Sequence, residues 1–487
     1  MDERMRDDAH TDAIPHLDRL PEAGVEAVHE ASMHVLEEIG VQFAHDRAVD
    51  EFAAAGAEVD RDDRLVYLPR DLVEDCIDSV PATFTLHARN PDNDVTVGDG
   101  DPVRAPGYGP PNVRTFEGGR RRATVEDYET LVTLCQQVGP IDCTGYKVCD
   151  PRDVDPAVEH CELIARSLRL SDMPVMGSAY GADRARESLE MVGIATDDPD
   201  LSVPYAGALV NTVSPRRFDT EMLGGLLEYA ERGQPVLVSS FTMAGASGPA
   251  TLAGAMAQAN AENLAGIALT QLVNEGTPAV YGLPASNIDA RYGSLSTGSP
   301  ESALFASFAG QMGRYYDVPS RAGGSLSDAK LVDYQAGAES AMVGAVTRFA
   351  DVGFVLHAAG ILESYSSISP EKFVLDCELL QQFDRYAGGF PLSEESFALD
   401  TVADVDPAGH FLDRRHTVEH SREGCFHPEL FDRRSHGDWH EDGRKSSFER
   451  AHDRVGRLLA DYERPPLDAD VERELREYVE TARERAG

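Results

Sequence analysis

The chain has 487 residues, 42% of them hydrophobic, enough to bury a sizeable core in one large domain with appendages or in two or three smaller ones. Its formal charge is −41, and lysine occurs only at Lys147, Lys330, Lys372 and Lys445. Such a surface repels nucleic acid and anionic membrane alike, and no apolar run approaches the roughly 18 residues of a membrane-spanning helix.

The chain opens on MDERMRDDAHTDAIPHLDRL, charged and without an apolar signal core. Residues 1–22 are expected to be a polar tail, and the protein is expected in the cytoplasm. The acidic residues throughout are interspersed with apolar ones at helical spacing, which points to adaptation to high salt, a halophilic surface, rather than to disorder. The seven cysteines are scattered and form no CxxC pair, so free, mostly buried thiols are expected.

Residues 23–100 read as a helical and small-sheet region. AGVEAVHEASMHVLEEIGVQF, AVDEFAAAGAEV and LPRDLVEDCIDSV are amphipathic helices, and TFTLHAR and DVTVGDG alternate like short strands. From 101 to 390 short apolar runs alternate with helical segments. The runs cover 102–108, 142–148, 173–179, 204–211, 235–241, 278–284, 318–324 and 353–359. Thr124, with Asp127 three residues on, predicts a helix cap. Ser214-Pro215, Ser299-Pro300 and Ser369-Pro370 each predict a serine cap with proline at the first helical position. Ser327-Asp328 is expected to cap the helix after the seventh run, with Lys330 one turn inside it. Eight strands alternating with eight helices predict an α/β fold of the (β/α)8 TIM-barrel type, with a doubly wound sheet as the alternative. Residues 391–487 are polar and rich in Asp, Arg and His. They read as a C-terminal extension packing on the barrel or making a subunit contact.

In a barrel, chemistry sits at the C-terminal ends of the strands. Those ends offer Tyr108, Tyr146, Lys147, Ser178, Tyr180, Asn211, Ser240, Phe241, Tyr281, Ser286, Asn287, Ser325, Leu326 and His357. The set is aromatic and poor in carboxylates, so a paired-acid hydrolase is disfavoured. RAGGSLSD has glycines and a helix start but little positive charge for a phosphate. Aromatic walls around an uncharged pocket suit a quaternary ammonium, held by cation–π attraction. Lys147 is either an ion-pair partner or the amine of a Schiff-base lyase or aldolase. His410, His416, His420, Cys425, His427, His436 and His440 crowd one stretch, but no HExxH occurs and a polar surface is the simpler reading.

Several long segments resemble the trimethylamine methyltransferase family of corrinoid-dependent enzymes. They are GSLSDAKLVDYQAGAES, PVMGSA, VSPRRFDTEML, LAGAMAQANAENLAGIALTQLV, GSPESALFASFAGQMGRYYDVPSRAGG and the HGDW around Trp439. The resemblance runs from about residue 23 to 480 and implies a (β/α)8 barrel. The trimethylamine enzyme carries pyrrolysine directly before SDAK, where this chain has Leu326. That departure implies the subgroup lacking pyrrolysine, whose members demethylate quaternary amines such as glycine betaine, within methylamine metabolism of the methanogenic type.

The resemblance further implies a separate corrinoid protein as partner, with no cofactor held tightly by this chain. The expected site has His357 and Leu326 at the reacting centre and Tyr108, Tyr146, Phe241, Tyr281 and Lys330 around the methylated amine. No metal is expected at the site, and the chain is expected to self-associate. A non-catalytic betaine-binding protein and the Lys147 lyase are the alternatives.

Overall fold

The computed structural model describes residues 9–10, 16–421 and 424–486. Most of the tail predicted over 1–22 lies outside the described residues. Residues 17–20 dock onto the main body, where the Leu17 amide donates to the Phe349 carbonyl (2.8 Å) and the Arg19 and Leu20 amides share the Gln311 Oε1.

Seven strands form the central sheet: β1 (Val103–Arg104), β2 (Val175–Gly177), β3 (Ala206–Asn211), β4 (Val236–Ser239), β5 (Ala279–Gly282), β6 (Ser320–Gly323) and β7 (Phe354–Leu356). Their order is β2-β3-β4-β5-β6-β7-β1, and every neighbouring pair is parallel. The sheet is curled, and helices cover it. Strands buried on both faces read as continuous apolar runs, and β4 (VLVS) and β5 (AVYG) are buried at every position.

Eight helices follow the eight predicted runs: α1 (Val125–Gln137), α2 (Glu159–Leu170), α3 (Ala182–Thr196), α4 (Thr220–Glu231), α5 (Leu252–Val273), α6 (Pro300–Tyr316), α7 (Tyr334–Phe349) and α8 (Pro370–Ala387).

The predicted strand over 142–148 does not form. Gly145 adopts φ +69°, a left-handed conformation that interrupts an extended ladder. The segment nevertheless hydrogen-bonds to both edges of the sheet. The Asp142 and Cys143 amides donate to the Arg104 carbonyl (2.9 and 3.1 Å), the Thr144 amide to Pro174 (3.0 Å), and the Met176 amide to Gly145 (3.0 Å).

Thr124 and Asp127 make the predicted reciprocal cap of α1, and Ser299 and Ser369 cap α6 and α8 ahead of proline. Two predicted caps are corrected. Ser214 does not start a helix: its hydroxyl donates to Glu262 Oε2 (2.6 Å), the Ser214-Pro215 peptide is cis, and Asp219 caps α4. Ser327-Asp328 lies in a loop ahead of α7, which begins at Tyr334 with Asp333 as cap, so Lys330 is also outside the helix.

The helices and short strands predicted before residue 100 are present. Helices span Glu22–His34, Asp46–Ala54 and Arg70–Asp78, and Phe84–Leu86 pairs antiparallel with Val95–Val97. At the other end, helix Ser447–Asp461 packs on α8, and helix Ala469–Ala486 packs on α2 and α3.

α5 is buried almost throughout and carries Asn260, Glu262 and Asn263 into the interior. Buried polar groups need partners: Asn260 donates to the Ser32 and Tyr316 hydroxyls (2.9 Å each), and the other two find theirs at the strand ends. Glu262 Oε2 accepts from Thr212, Ser214 and Ser240 hydroxyls (2.7, 2.6 and 2.6 Å). Asn263 bridges the Ser240 amide and the Gly282 carbonyl (2.9 Å each). One helix therefore pins the ends of β3, β4 and β5.

Candidate active site

A cavity of about 290 Å³ opens at the C-terminal ends of the strands. Its walls are Tyr108, Leu209, Asn211, Thr212, Phe241, Pro284, Arg321, His357 and Tyr365. No carboxylate is among them.

Arg321 dominates its electrostatics. It lies within β6, is 1% exposed, and its Nη2 is 3.2 Å from His357 Nδ1. Its Nε and Nη1 have no hydrogen-bond partner. Burial pushes the guanidinium down to about 10, so it remains charged at neutral pH. An unpartnered buried cation carries a large desolvation cost, and such groups are found where a ligand completes them.

His357 directly follows β7 with φ +64°. Its Nε2 lies 3.3 Å from the Tyr108 carbonyl, which only accepts, and its Nδ1 faces a guanidinium, which only donates. The ring is therefore the neutral tautomer protonated on Nε2. Burial, and secondarily Arg321, holds its pKa down to about 3. Tyr365 stands 4.6 Å from the His357 ring and meets Phe241 edge-on at 5.8 Å. Its buried phenol has no partner. The cavity thus combines one uncompensated positive charge with aromatic faces.

Among the residues singled out in the sequence, Tyr108, Asn211, Phe241 and His357 line this cavity. Tyr146 does not; its ring stands 6.1 Å from that of Tyr108. Tyr281 is on the helix-covered face of β5, 6.1 Å from Tyr316 of α6. Leu326 is 3% exposed and lies outside the lining, but its Cδ1 would be 2.5 Å from a Cβ built on Gly323. Gly323 shares the inner face of β6 with Arg321, two residues away. Lys330 is exposed, with Nζ donating to the Asp328 carbonyl at 2.6 Å. Lys147 is held between Asp150 (2.5 Å) and Glu159 (3.0 Å).

Ser240 is committed to Glu262, Ser286 to Ser302, and the Ser325 carbonyl to Lys372. Sequence reasoning missed Arg321, Tyr365, Leu209, Thr212 and Pro284. Only Arg321 left a trace, as a lone charge inside the apolar run VPSRAGG.

Among the described residues, the histidines of 410–440 form no metal-sized cluster; the one group of that kind is His160, Cys161 and Glu187. There His160 Nε2 bonds Glu187 at 2.6 Å, an ordinary pair on the far side of α2 and α3. A hollow of about 640 Å³ in the C-terminal extension is lined by arginines that pair with Asp432 and Asp442.

The family described as trimethylamine methyltransferase (MTTB) matches residues 2–487. The chain is 40% identical over 468 residues to a glycine betaine methyltransferase of Desulfitobacterium hafniense (strain Y51), covering 96% of this chain and 97% of that one. It is 31% identical over 415 residues to a proline betaine:corrinoid methyltransferase of Eubacterium limosum (82% and 84% covered). It is 28% identical over 468 residues to the trimethylamine methyltransferase MttB of D. hafniense (strain DSM 10664 / DCB-2) (95% and 93% covered). The crystal structure of the Methanosarcina barkeri monomethylamine methyltransferase aligns with a TM-score of 0.54 at 12% identity, over 93% of this chain and 90% of that one, a likeness of fold.

Proposed function

The chain belongs to the trimethylamine methyltransferase family, and from that premise we propose that it moves a methyl group from a carboxylated quaternary amine, glycine betaine foremost, to a separate corrinoid protein. The observation that carries the substrate class is the unpartnered guanidinium of Arg321 inside an aromatic-walled cavity. A betaine brings both complements: a carboxylate for an open edge of the Arg321 guanidinium, and a quaternary ammonium for the aromatic faces of Tyr108, Phe241 and Tyr365. His357, held neutral, adds no second positive charge.

The reduced cobalt of the partner's corrinoid supplies the nucleophile. This chain's residues bind and orient the amine and exclude water. The amine departs uncharged, so no acid is required to release it, in keeping with a lining free of carboxylates. A cavity of about 290 Å³ admits a betaine but not a corrin ring, and both nitrogens of His357 are engaged. Both facts support the macrocycle remaining on its own protein.

The same reading takes the seven strands with residues 142–145 as a closed (β/α)8 ring. The hydrogen bonds of that segment to β1 and to the chain entering β2 support an eighth stave. Residues 101–390 are then the catalytic unit, 23–100 and 391–487 its accessories. Seven free cysteines and a reduced cobalt partner suit a cytoplasmic setting. Self-association fits the extension, whose helices Leu399–Ala403 and Arg415–His420 bury no side chain while Leu412 and Val418 stand exposed.

The test mixes the protein with glycine betaine and a reduced corrinoid protein already shown competent with another methyltransferase. Loss of the reduced-cobalt absorbance with release of dimethylglycine is expected. No change with any quaternary amine overturns the reading.

A further inference from the structure

Tyr365 reaches the cavity from an unusual backbone. The hairpin Ile361–Leu362 with Ser367–Ile368 turns through Glu363, Ser364 and Tyr365, with φ of +53°, +52° and +71°. L-residues visit this region singly, not in runs, and persist there only when their surroundings over-determine them. Here the determinant is the loop before α7. The Glu363 amide donates to the Ala329 carbonyl (3.1 Å) and the Ser364 amide to the Ser327 carbonyl (3.2 Å). The Ser364 hydroxyl donates to Asp328 Oδ1 at 2.6 Å.

Asp328 is itself immobilised. Its carboxylate also accepts from the Thr297 amide and hydroxyl (2.8 and 2.9 Å) and the Gly298 amide (3.1 Å), so all four of its hydrogen bonds come from neutral groups. Its own amide and the Ser327 hydroxyl both donate to Glu339 Oε2 of α7 (2.8 and 2.7 Å). A carboxylate that ties residues 297–298 to Ser364, on a backbone whose amide is held by Glu339, can transmit a fixed geometry to the turn, and Tyr365 is the turn's next residue.

We propose that Asp328 is a positioning residue: through Ser364 it clamps a left-handed turn that closes the Tyr365 ring over the substrate cavity, against His357 and Phe241. The proposal rests on the functional reading above for the identity of the ligand, a quaternary ammonium, but the clamp is a property of the chain alone. It assigns a role to the SD of SLSD that helix capping does not fill, since α7 starts at Tyr334.

The test uses the full chain in four forms: Ser364→Ala, Asp328→Ala, Tyr365→Leu, and Ser364→Ala combined with Tyr365→Leu. Glycine betaine binding is read by calorimetry and transfer by steady-state kinetics. Ser364→Ala leaves the bonds of Asp328 to Thr297 and Gly298 intact, so it separates the clamp from general folding. Ser364→Ala and Tyr365→Leu are each expected to raise KM and the calorimetric Kd about thirtyfold, the worth of one desolvated cation–π wall, with kcat little changed. Asp328→Ala is expected to raise both at least as much. The double variant is expected to be no weaker than Tyr365→Leu alone, because the two residues act as one unit.

A Kd for Ser364→Ala within about twofold of wild type, or fully additive losses, overturns the clamp. Fluorine NMR of fluorotyrosine-labelled protein gives a reading that needs no substrate. The Tyr365 resonance, assigned by its loss in Tyr365→Phe, is expected to move to a solvent-exposed position in Ser364→Ala, and an unmoved resonance overturns the clamp. Should wild-type protein bind no betaine at all, the functional reading falls by itself and the resonance still decides the clamp.

Discussion

Replacing Arg321 by methionine tests the substrate assignment most directly. The side chain is 1% exposed, with Nε and Nη1 unpartnered and Nη2 on His357. A betaine carboxylate bridging one open donor and the second hydrogen of Nη2 gains two hydrogen bonds to a charged group, worth about 1.5–3 kcal/mol each. Leaving the carboxylate without its cation costs about 3–5 kcal/mol by the independent measure of broken buried pairs. Either route predicts that betaine affinity falls by roughly two to four orders of magnitude.

The empty protein should respond in the opposite sense. Arg321→Met removes a buried charge that nothing compensates, and such replacements by apolar side chains of similar volume are neutral or stabilising. Calorimetric binding of glycine betaine and a thermal melt therefore move apart: binding is lost while Tm holds or rises. Choline lacks the carboxylate, so its weak binding to wild type should be unchanged or improved in the variant. Glycine betaine binding to Arg321→Met within about tenfold of wild type would sink the assignment.

Three further outcomes are expected. The His357 imidazole, held down to about 3 by burial and then by Arg321, stays neutral through the roughly pH 5–8 range where an ordinary imidazole titrates, so kcat/KM carries no inflection from it. Because the folded value is the depressed one, the unfolded chain takes up the proton first. Stability is full above the unfolded value near 6.5 and falls toward pH 3 by up to ~1.4 kcal/mol per unit; His357→Gln should flatten that limb of a plot of Tm against pH. Lys372 is 2% exposed and its Nζ is 2.5 Å from Asp376; Lys372→Met should cost about 3–5 kcal/mol in a denaturant melt, and adding Asp376→Leu should recover part of it. Borohydride in the presence of carbonyl compounds should leave no adduct on Lys147, whose ammonium lies between Asp150 and Glu159; a labelled Lys147 peptide in a digest would reopen the lyase reading.

The central sheet was legible because parallel strands buried on both faces must be apolar throughout, and helices entered through Thr124, Ser299 or Ser369 carry their caps in local sequence. Legibility ended where distant groups decide. Ser214 has the right neighbour for a cap, yet its hydroxyl belongs to Glu262, 48 residues on. Ser327 and Asp328 resemble a helix start, yet they serve segments near 297 and 364.

In the cavity, Tyr108, Phe241 and His357 were legible as strand-end residues. Tyr281 was a fair candidate of the same kind, but side-chain direction alternates along a strand, and a shift of one residue turns a ring from the interior to the helices. Arg321 sits inside its strand rather than at its end, where a charge reads as an interruption instead of a ligand. Tyr365 could not be read at all, since three consecutive left-handed residues bring it in.

The charge pattern of the cavity bears on rate as well as on binding. A quaternary ammonium loses its positive charge as its methyl departs, so any group that stabilises that charge favours the ground state over the transition state. A carboxylate beside the nitrogen would do this strongly, and none lines the cavity. Aromatic faces hold the ammonium with far weaker fields, enough to orient it. On the proposed binding mode Arg321 acts in the other direction: by pairing with the substrate's own carboxylate it offsets the anion that would hold the ammonium in its charged state. On the proposed reading, one residue both recruits the substrate by its carboxylate and eases departure of its methyl group, which agrees with an unreactive side chain at position 326.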